Sequence, residues 1–316
     1  MSFTSNSSSD ERRTRLRSIA ESTLDAIKFG SFTLGDLSHD LANPTRLSKR
    51  DTRYYAPDSL LSSWSSSPPN YRCKSTKISI LEISTLDGAR LLSDTQDERR
   101  TGVLNFASAK KPGGGFINGA QAQEESIARS SSLYPTLMTS TAQQFYTLHN
   151  RNAQGGFYSH AMIYSPRVLL FRDDDGGWTE PIKVDVLTSA AVNAGVVRNS
   201  LHGRTAGKEK TDVRIRSVMR QRMARILFLF EQQGRRNLVL GSFGTGVFRN
   251  DVDVVARLWA ELLVVPGARF KESFDTVLFA ILGKQTYDTF KDNFYAHETL
   301  QSDDTDAKGE TEVSSN

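Results

Sequence analysis

The sequence predicts a layered α/β fold with a largely parallel sheet, entered through an N-terminal helical extension. Three observations carry this. Short β-branched runs alternate with helical patterns through the body of the chain, as in βαβ architectures. Its two glycine-rich turns each follow one of those runs, and open α/β sheets bind ligands beyond the carboxyl ends of their strands. The length of 316 residues, 38% hydrophobic and 24% charged, allows one large domain or two smaller ones.

The elements follow in order. From Glu11 the chain reads as a helix whose first half is rich in arginine (Arg12, Arg13, Arg15, Arg17). Leu16, Ile19, Ala20, Leu24 and Ile27 recur on one face before Gly30 stops it. Ser62–Asn70, SSWSSSPPN, is a loop by composition. Strands are expected at Lys77–Ile83, Val103–Phe106, Met162–Tyr164, Val184–Leu187, Leu238–Leu240 and Thr276–Ile281. The clearest helix is Val213–Phe230, where Ile215, Val218, Met219, Met223, Ile226, Leu227 and Phe230 form a stripe. Arg214, Arg216, Arg220 and Arg222 are expected largely off it. No repeat or Pro/Gly linker divides the body, so residues 11–299 read as a single domain. Residues 1–10 and the acidic tail 300–316 read as disordered, because neither has the apolar content to offset chain entropy.

Composition excludes several classes. No apolar run approaches the ~18 residues that span a bilayer. Met1–Asp10 is Ser/Asn-rich and lacks the apolar stretch of a secretory signal. Cys73 is the single cysteine, which rules out an internal disulfide and a zinc site built on paired thiolates. A soluble protein of the nucleus or cytoplasm is the expectation. Net charge is +4, but the tail carries five acids against Lys308, so the body is more basic than the whole. Such a body attracts polyanions.

The stretch that carries chemistry is Val103–Ser132, VLNFASAKKPGGGFINGAQAQEESIARSSS. It begins as a buried strand, loses hydrophobicity at Asn105, and runs into Gly113, Gly114 and Gly115. Seven residues on come Gln123, Glu124 and Glu125, at the expected start of a helix. Three glycines leave a backbone free to adopt positive φ and to approach a ligand closely. Neighbouring carboxylates project about a hundred degrees apart on a helix of ~3.6 residues per turn. They can therefore touch different atoms of one ligand. A second segment, Leu238–Asn250, reads LVLGSFGTGVFRN, a strand that breaks into a Gly-rich loop before a helix at Val252–Leu263. Gly244, Thr245 and Gly246 offer backbone N–H groups near a helix N-terminus, an arrangement suited to diphosphate.

Asn105, Ala107, Ser108 and Gly113–Gly115 fit the macrodomain loop pattern, and Gly-Gly-Gly followed by Gln-Glu-Glu resembles the signature of poly(ADP-ribose) glycohydrolases of the compact microbial type, also found in filamentous fungi. Similarity of pattern also covers Tyr164-Ser165-Pro166 and Ala191–Gly195, and so spans roughly residues 11–295. One departure is Ser108, which stands where many macrodomains have a second asparagine on the distal ribose. The resemblance implies a three-layer α/β/α fold with a mixed, largely parallel sheet. It also implies that Ser242, Phe243, Gly244, Thr245, Gly246, Val247 and Phe248 form a diphosphate loop, with Phe248 against the distal ribose. ADP-ribose is then expected in the crevice between residues 105–125 and 242–248.

The resemblance assigns proton transfer to Glu125 and ribose positioning to Glu124, with Asn105, Ala107, Ser108, Gly113, Gly114, Gly115 and Gln123 around the substrate. Diphosphate charge and desolvation would both favour the protonated form of Glu125. The implied reaction is hydrolysis of ribose–ribose O-glycosidic bonds, releasing ADP-ribose. Its partners would be poly(ADP-ribose) and ADP-ribosylated proteins, met as a monomer, with no cofactor, no metal, no membrane and no sequence-specific nucleic acid. His149, His160, His202 and His297 read as scattered surface residues rather than ligands. Two other functions stay open: a reader that binds ADP-ribose without cleaving it, against which both glutamates argue, and a hydrolase of mono-ADP-ribosylated conjugates.

Overall fold

The structure, a computed structural model, describes residues 4–71, 73–93 and 101–309. It opens with α1 (Thr4–Phe29), β1 (Ser31–Leu34), β2 (Leu37–Asp40), α2 (Ala42–Asp51), β3 (Arg53–Tyr55), β4 (Lys77–Leu81) and α3 (Thr85–Leu92). Then come β5 (Thr101–Phe106), α4 (Gln123–Ser130), α5 (Leu133–Leu137), α6 (Ser140–Arg151), β6 (Met162–Arg172) and β7 (Trp178–Ser189). The chain continues through α7 (Ala194–Asn199), α8 (Leu201–Ala206), α9 (Lys208–Gln232), β8 (Asn237–Leu240), α10 (Val252–Leu263), β9 (Thr276–Ala280) and α11 (Lys284–Gly309). Among the described residues no helix is long and apolar enough to cross a membrane.

The chain forms two compact units. The first is Met1–Ser59, Ser84–Gln154 and Tyr158–Ala190. Its strands run in the order β3-β6-β7-β5, with β6 antiparallel to both β3 and β7, and β5 parallel to β7. The expected strands at residues 162–164 and 184–187 are parts of far longer ones. Pro166 interrupts the apolar run, yet β6 continues past it through a register shift between Ser165 and Val168. Arg167 takes φ +57° there, and its N–H donates to Asp185 Oδ1 at 2.8 Å. An irregularity of this kind lets a strand carry a proline.

In α1 the expected face is the one covered: Leu16, Ala20 and Thr23 are buried, and Ile19, Leu24 and Ile27 half-buried. Gly30, at φ +97°, ends it. No glycine or proline occurs between Thr4 and Phe29, so the backbone ladder runs through the polar start of the helix. The expected disordered ends thus overlap described helix at residues 4–10 and 300–309, while residues 1–3 and 310–316 lie outside the described residues.

The second unit is Leu60–Ile83, Gly155–Phe157 and Ala191–Asn316. Its strands run β8-β9-β4, all parallel. Trp259 of α10 and Phe290 and Phe294 of α11 gather on Phe279 of β9, with ring centroids 6.0, 5.1 and 5.3 Å away. The stripe of α9 is buried as expected except Val218, which is half-buried. One expectation fails: Arg222 is fully buried, its guanidinium donating to Phe157 O at 3.0 Å. Arg222 follows Ile215 by seven residues and Met219 by three, and precedes Ile226 by four, so helical spacing puts it on the buried stripe itself. Burial, with Arg225 nearby, lowers the Arg222 pKa to about 9.

Candidate active site

Residues 105–125 lie within the first unit. Thr101–Leu104 are buried, and β5 ends at Asn105 and Phe106. The start of α4 is latched to that strand end by Gln123, whose Oε1 accepts the Phe106 N–H at 2.9 Å while its Nε2 donates to Leu104 O at 2.7 Å. A side-chain amide thus occupies hydrogen-bonding positions that a neighbouring strand would fill. Nothing caps α4 from the side chain of Ala122, and Glu124 and Glu125 in its first turn complement the partial positive charge there.

The two carboxylates sit in different surroundings. Glu124 is 2% exposed. Its Oε2 accepts the Ser108 N–H at 2.6 Å and its Oε1 faces Asn105 Nδ2 at 3.5 Å. Burial pushes its pKa up to about 8, opposed by the N–H groups of Ser108 and Gly113 and by Asn105, and helped by the charge of Glu125. Glu125 is half-buried, and its Oε1 accepts the Gly115 N–H at 2.9 Å. Of the two, Glu124 is the more deeply buried. Side-chain direction on the helix decides this and spacing alone does not show it.

Gly114 is the point on which both acids converge. It has φ +61°, and a Cβ there would collide with Glu125 Oε1 and lie 3.1 Å from Glu124 Oε2. Gly113, at φ +66°, leaves no room for a Cβ beside the ring of Phe116. Asn105 and Ala107 are buried; Asn105 Nδ2 also donates to Thr188 Oγ1 at 3.1 Å, and its Oδ1 has no partner among the described residues. Ser108 turns its hydroxyl back into the loop, accepting the Lys110 and Lys111 N–H groups at 3.3 and 3.2 Å. The side chain that replaces the usual asparagine is thus engaged locally.

Residues 242–248 lie within the second unit. Gly244 has φ +77°, and a Cβ there would collide with Ala191 Cβ and come within 2.8 Å of Asn250 Nδ2. Asn250 Nδ2 donates to Gly244 O at 2.9 Å and Val192 O at 2.7 Å, closing the turn and tying it to the segment that precedes α7. Phe248 O accepts the Gly195 N–H at 3.1 Å. Phe243 is fully buried and serves as a core anchor, Val247 is 82% exposed, and Ser242, Thr245 and Phe248 are half-buried. The N–H groups of Gly244, Gly246 and Val247 meet no acceptor among the described residues. They are the donors an anion at this loop would use.

The sequence model of microbial-type PARG, catalytic domain, matches residues 20–173. A crystal structure of poly(ADP-ribose) glycohydrolase (PARG) from Thermomonospora curvata is 37% identical to this chain, with 89% of this chain and 100% of that one covered and a TM-score of 0.80. This chain belongs to the microbial-type PARG family. The same Thermomonospora enzyme bound to the inhibitor ADP-HPD matches at a TM-score of 0.78, with 37% identity over 89% and 100% of the two chains. PARG from Deinococcus radiodurans in complex with ADP-ribose is 33% identical over 80% of this chain and 97% of that one, at a TM-score of 0.69. No curated protein sequence matches.

Within this PARG-family chain, the first segment brings Asn105, Ser108, Gly113–Gly115, Gln123, Glu124 and Glu125 together, and Ala107 is buried, its N–H donating to Ser189 O at 3.0 Å. Sequence reasoning missed Tyr146. Its phenol is buried on α6, and its pKa is raised well above the ordinary value by burial and then by the charges of Glu124 and Tyr134. It also misplaced His149, which is fully buried, its Nε2 accepting the Ser159 N–H at 3.1 Å. Ala142, Phe145, Tyr146 and His149 recur at helical spacing and are all buried, a stripe in which the imidazole stands among apolar neighbours. No group of three or more His, Cys, Asp or Glu among the described residues could hold a metal ion.

Proposed function

We propose that this chain hydrolyses the ribose–ribose O-glycosidic bonds of poly(ADP-ribose), releasing ADP-ribose, with Glu125 as general acid and base. The observation that carries the reading is the unequal pair of adjacent glutamates: one buried and held by backbone N–H groups, the other half-buried with one oxygen on Gly115. The relatives are poly(ADP-ribose) glycohydrolases, and one of them is bound to ADP-ribose.

In this scheme the Glu125 carboxylic acid protonates the glycosidic oxygen as the bond to the anomeric carbon breaks and positive charge spreads over the departing ribose. The negative charge of the substrate's diphosphate favours the protonated acid before cleavage. The resulting carboxylate then takes a proton from the water that attacks the anomeric carbon, which restores the acid. Glu124 hydrogen-bonds ribose hydroxyls and holds the sugar, a positioning task. The N–H groups of Gly244, Gly246 and Val247 receive the diphosphate, and Phe248 packs on the distal ribose. ADP-ribosylated proteins would present the polymer.

Purified protein incubated with poly(ADP-ribose) should release free ADP-ribose, resolved by HPLC. Polymer left intact by an excess of protein that still binds ADP-ribose would favour a reader instead.

A further inference from the structure

The sequence assigns no function to the arginine-rich start of α1, and the structure gives two of its residues a common target. Arg13 Nε donates to Asn118 O at 2.9 Å and Arg17 Nε to the same oxygen at 3.2 Å. One turn of helix separates the two arginines, so both reach a single carbonyl. The backbones also approach closely at that point. Gly119 has φ +73°, and a Cβ there would collide with Arg13 O and lie 2.8 Å from Arg13 Cγ.

The turn so held is the one that follows the three glycines. Asn118 N–H and Ala120 N–H both donate to Gly115 O, at 2.9 and 3.1 Å, and the N–H of that same Gly115 donates to Glu125 Oε1 at 2.9 Å. Phe116, fully buried, packs with Ala20 of α1 and Ala128 of α4. Thr23 Oγ1 donates to Arg129 O at 2.6 Å, and Arg129 Nη1 donates to Ala120 O at 2.6 Å. A continuous set of contacts thus runs from α1 through the 115–120 turn to the Glu125 carboxylate.

We propose that Arg13 and Arg17 are positioning residues for hydrolysis, holding the 115–120 turn so that the Gly115 N–H orients Glu125. This rests on the role given to Glu125 above. The guanidinium groups contact the turn at Asn118 O and reach Glu125 only through it. Their loss should misplace the acid while leaving the 242–248 loop as it is.

The test compares wild type with the pair Arg13→Met and Arg17→Met, which keeps the aliphatic stems and removes the donors, and with the pair Arg13→Lys and Arg17→Lys. The methionine pair should lose kcat on poly(ADP-ribose) on the order of tenfold, with KM and ADP-ribose Kd within about twofold of wild type. The lysine pair should recover part of that loss, because an ammonium can still donate to the carbonyl. Unchanged kcat in a folded methionine pair would overturn the proposal, as would a loss confined to KM. If the methionine pair does not fold, the lysine pair decides: its kcat should fall below wild type with KM kept, and wild-type kcat would overturn the proposal. Glu125→Gln is assayed alongside. Full activity there removes the role of Glu125 itself, whereas an inactive Glu125→Gln beside a fully active methionine pair removes only the role of the arginines.

Discussion

At Glu124 burial and hydrogen bonding act in opposite directions on one carboxyl group, and burial prevails, raising its pKa from 4.5 to about 8. Between those values the folded protein keeps a proton that the unfolded chain has released. Unfolding therefore releases a proton, and stability falls as pH rises through the window, by at most ~1.4 kcal/mol per pH unit. Glu124→Gln removes that titration. Its denaturant midpoint should fall less than wild type's from about pH 5 to about pH 8, as read by urea melts at several pH values. Equal slopes would show that Glu124 is not the source. Gly114 makes a second prediction. An alanine there must adopt φ +61° and displace the Glu125 carboxylate. The conformation alone costs ~1–2 kcal/mol. Gly114→Ala should therefore melt somewhat lower and lose turnover on the order of tenfold or more, because both acids are pushed from their places. Wild-type turnover in that variant would mean the acids do not need this close approach.

The turn before α10 depends on Asn250, whose side-chain amide serves one carbonyl within the loop, Gly244 O, and one on the segment before α7, Val192 O. Asn250→Ala leaves both without that donor, which typically costs ~1–3 kcal/mol. It should lower Tm and raise the ADP-ribose Kd, measured by calorimetric titration, while kcat at saturating polymer changes less. A lower Tm with unaltered affinity would separate the loop's fold from its binding. How far such elements could be read beforehand varied with their local pattern. Val252–Leu263 was bounded to the residue, because its apolar period is unbroken and a Gly-rich turn precedes it. The glycines and the glutamate pair were equally legible, since they are contiguous. The hairpin β1–β2 was not seen, although Gly35, at φ +58°, and Asp36 form its turn, because its strands are only four residues long. The latch made by Gln123 was also hidden. Nothing in its spacing says that the end of β5 lies within reach of its amide.

Over the whole molecule the net charge is +4 despite an acidic C-terminal stretch, and the substrate proposed for it is a polyanion. Encounter should then be assisted by long-range attraction that salt screens over a Debye length of ~10 Å at 0.1 M. Raising ionic strength from about 0.05 M to about 0.5 M should lower kcat/KM on polymer mainly through KM, with kcat little changed. A salt effect on kcat alone would place the sensitivity in the chemical step instead. Hydrolysis as proposed depends on one proton. Glu125→Gln keeps the size of the side chain and a hydrogen-bonding oxygen for Gly115 but has no acid to give. The decisive measurement is therefore ADP-ribose release from poly(ADP-ribose) by this variant, beside its melting temperature and ADP-ribose affinity. Turnover should fall on the order of a hundredfold or more, with melting near wild type and affinity changed far less. A well-folded Glu125→Gln protein that releases ADP-ribose at the wild-type rate would contradict the assignment of the acid.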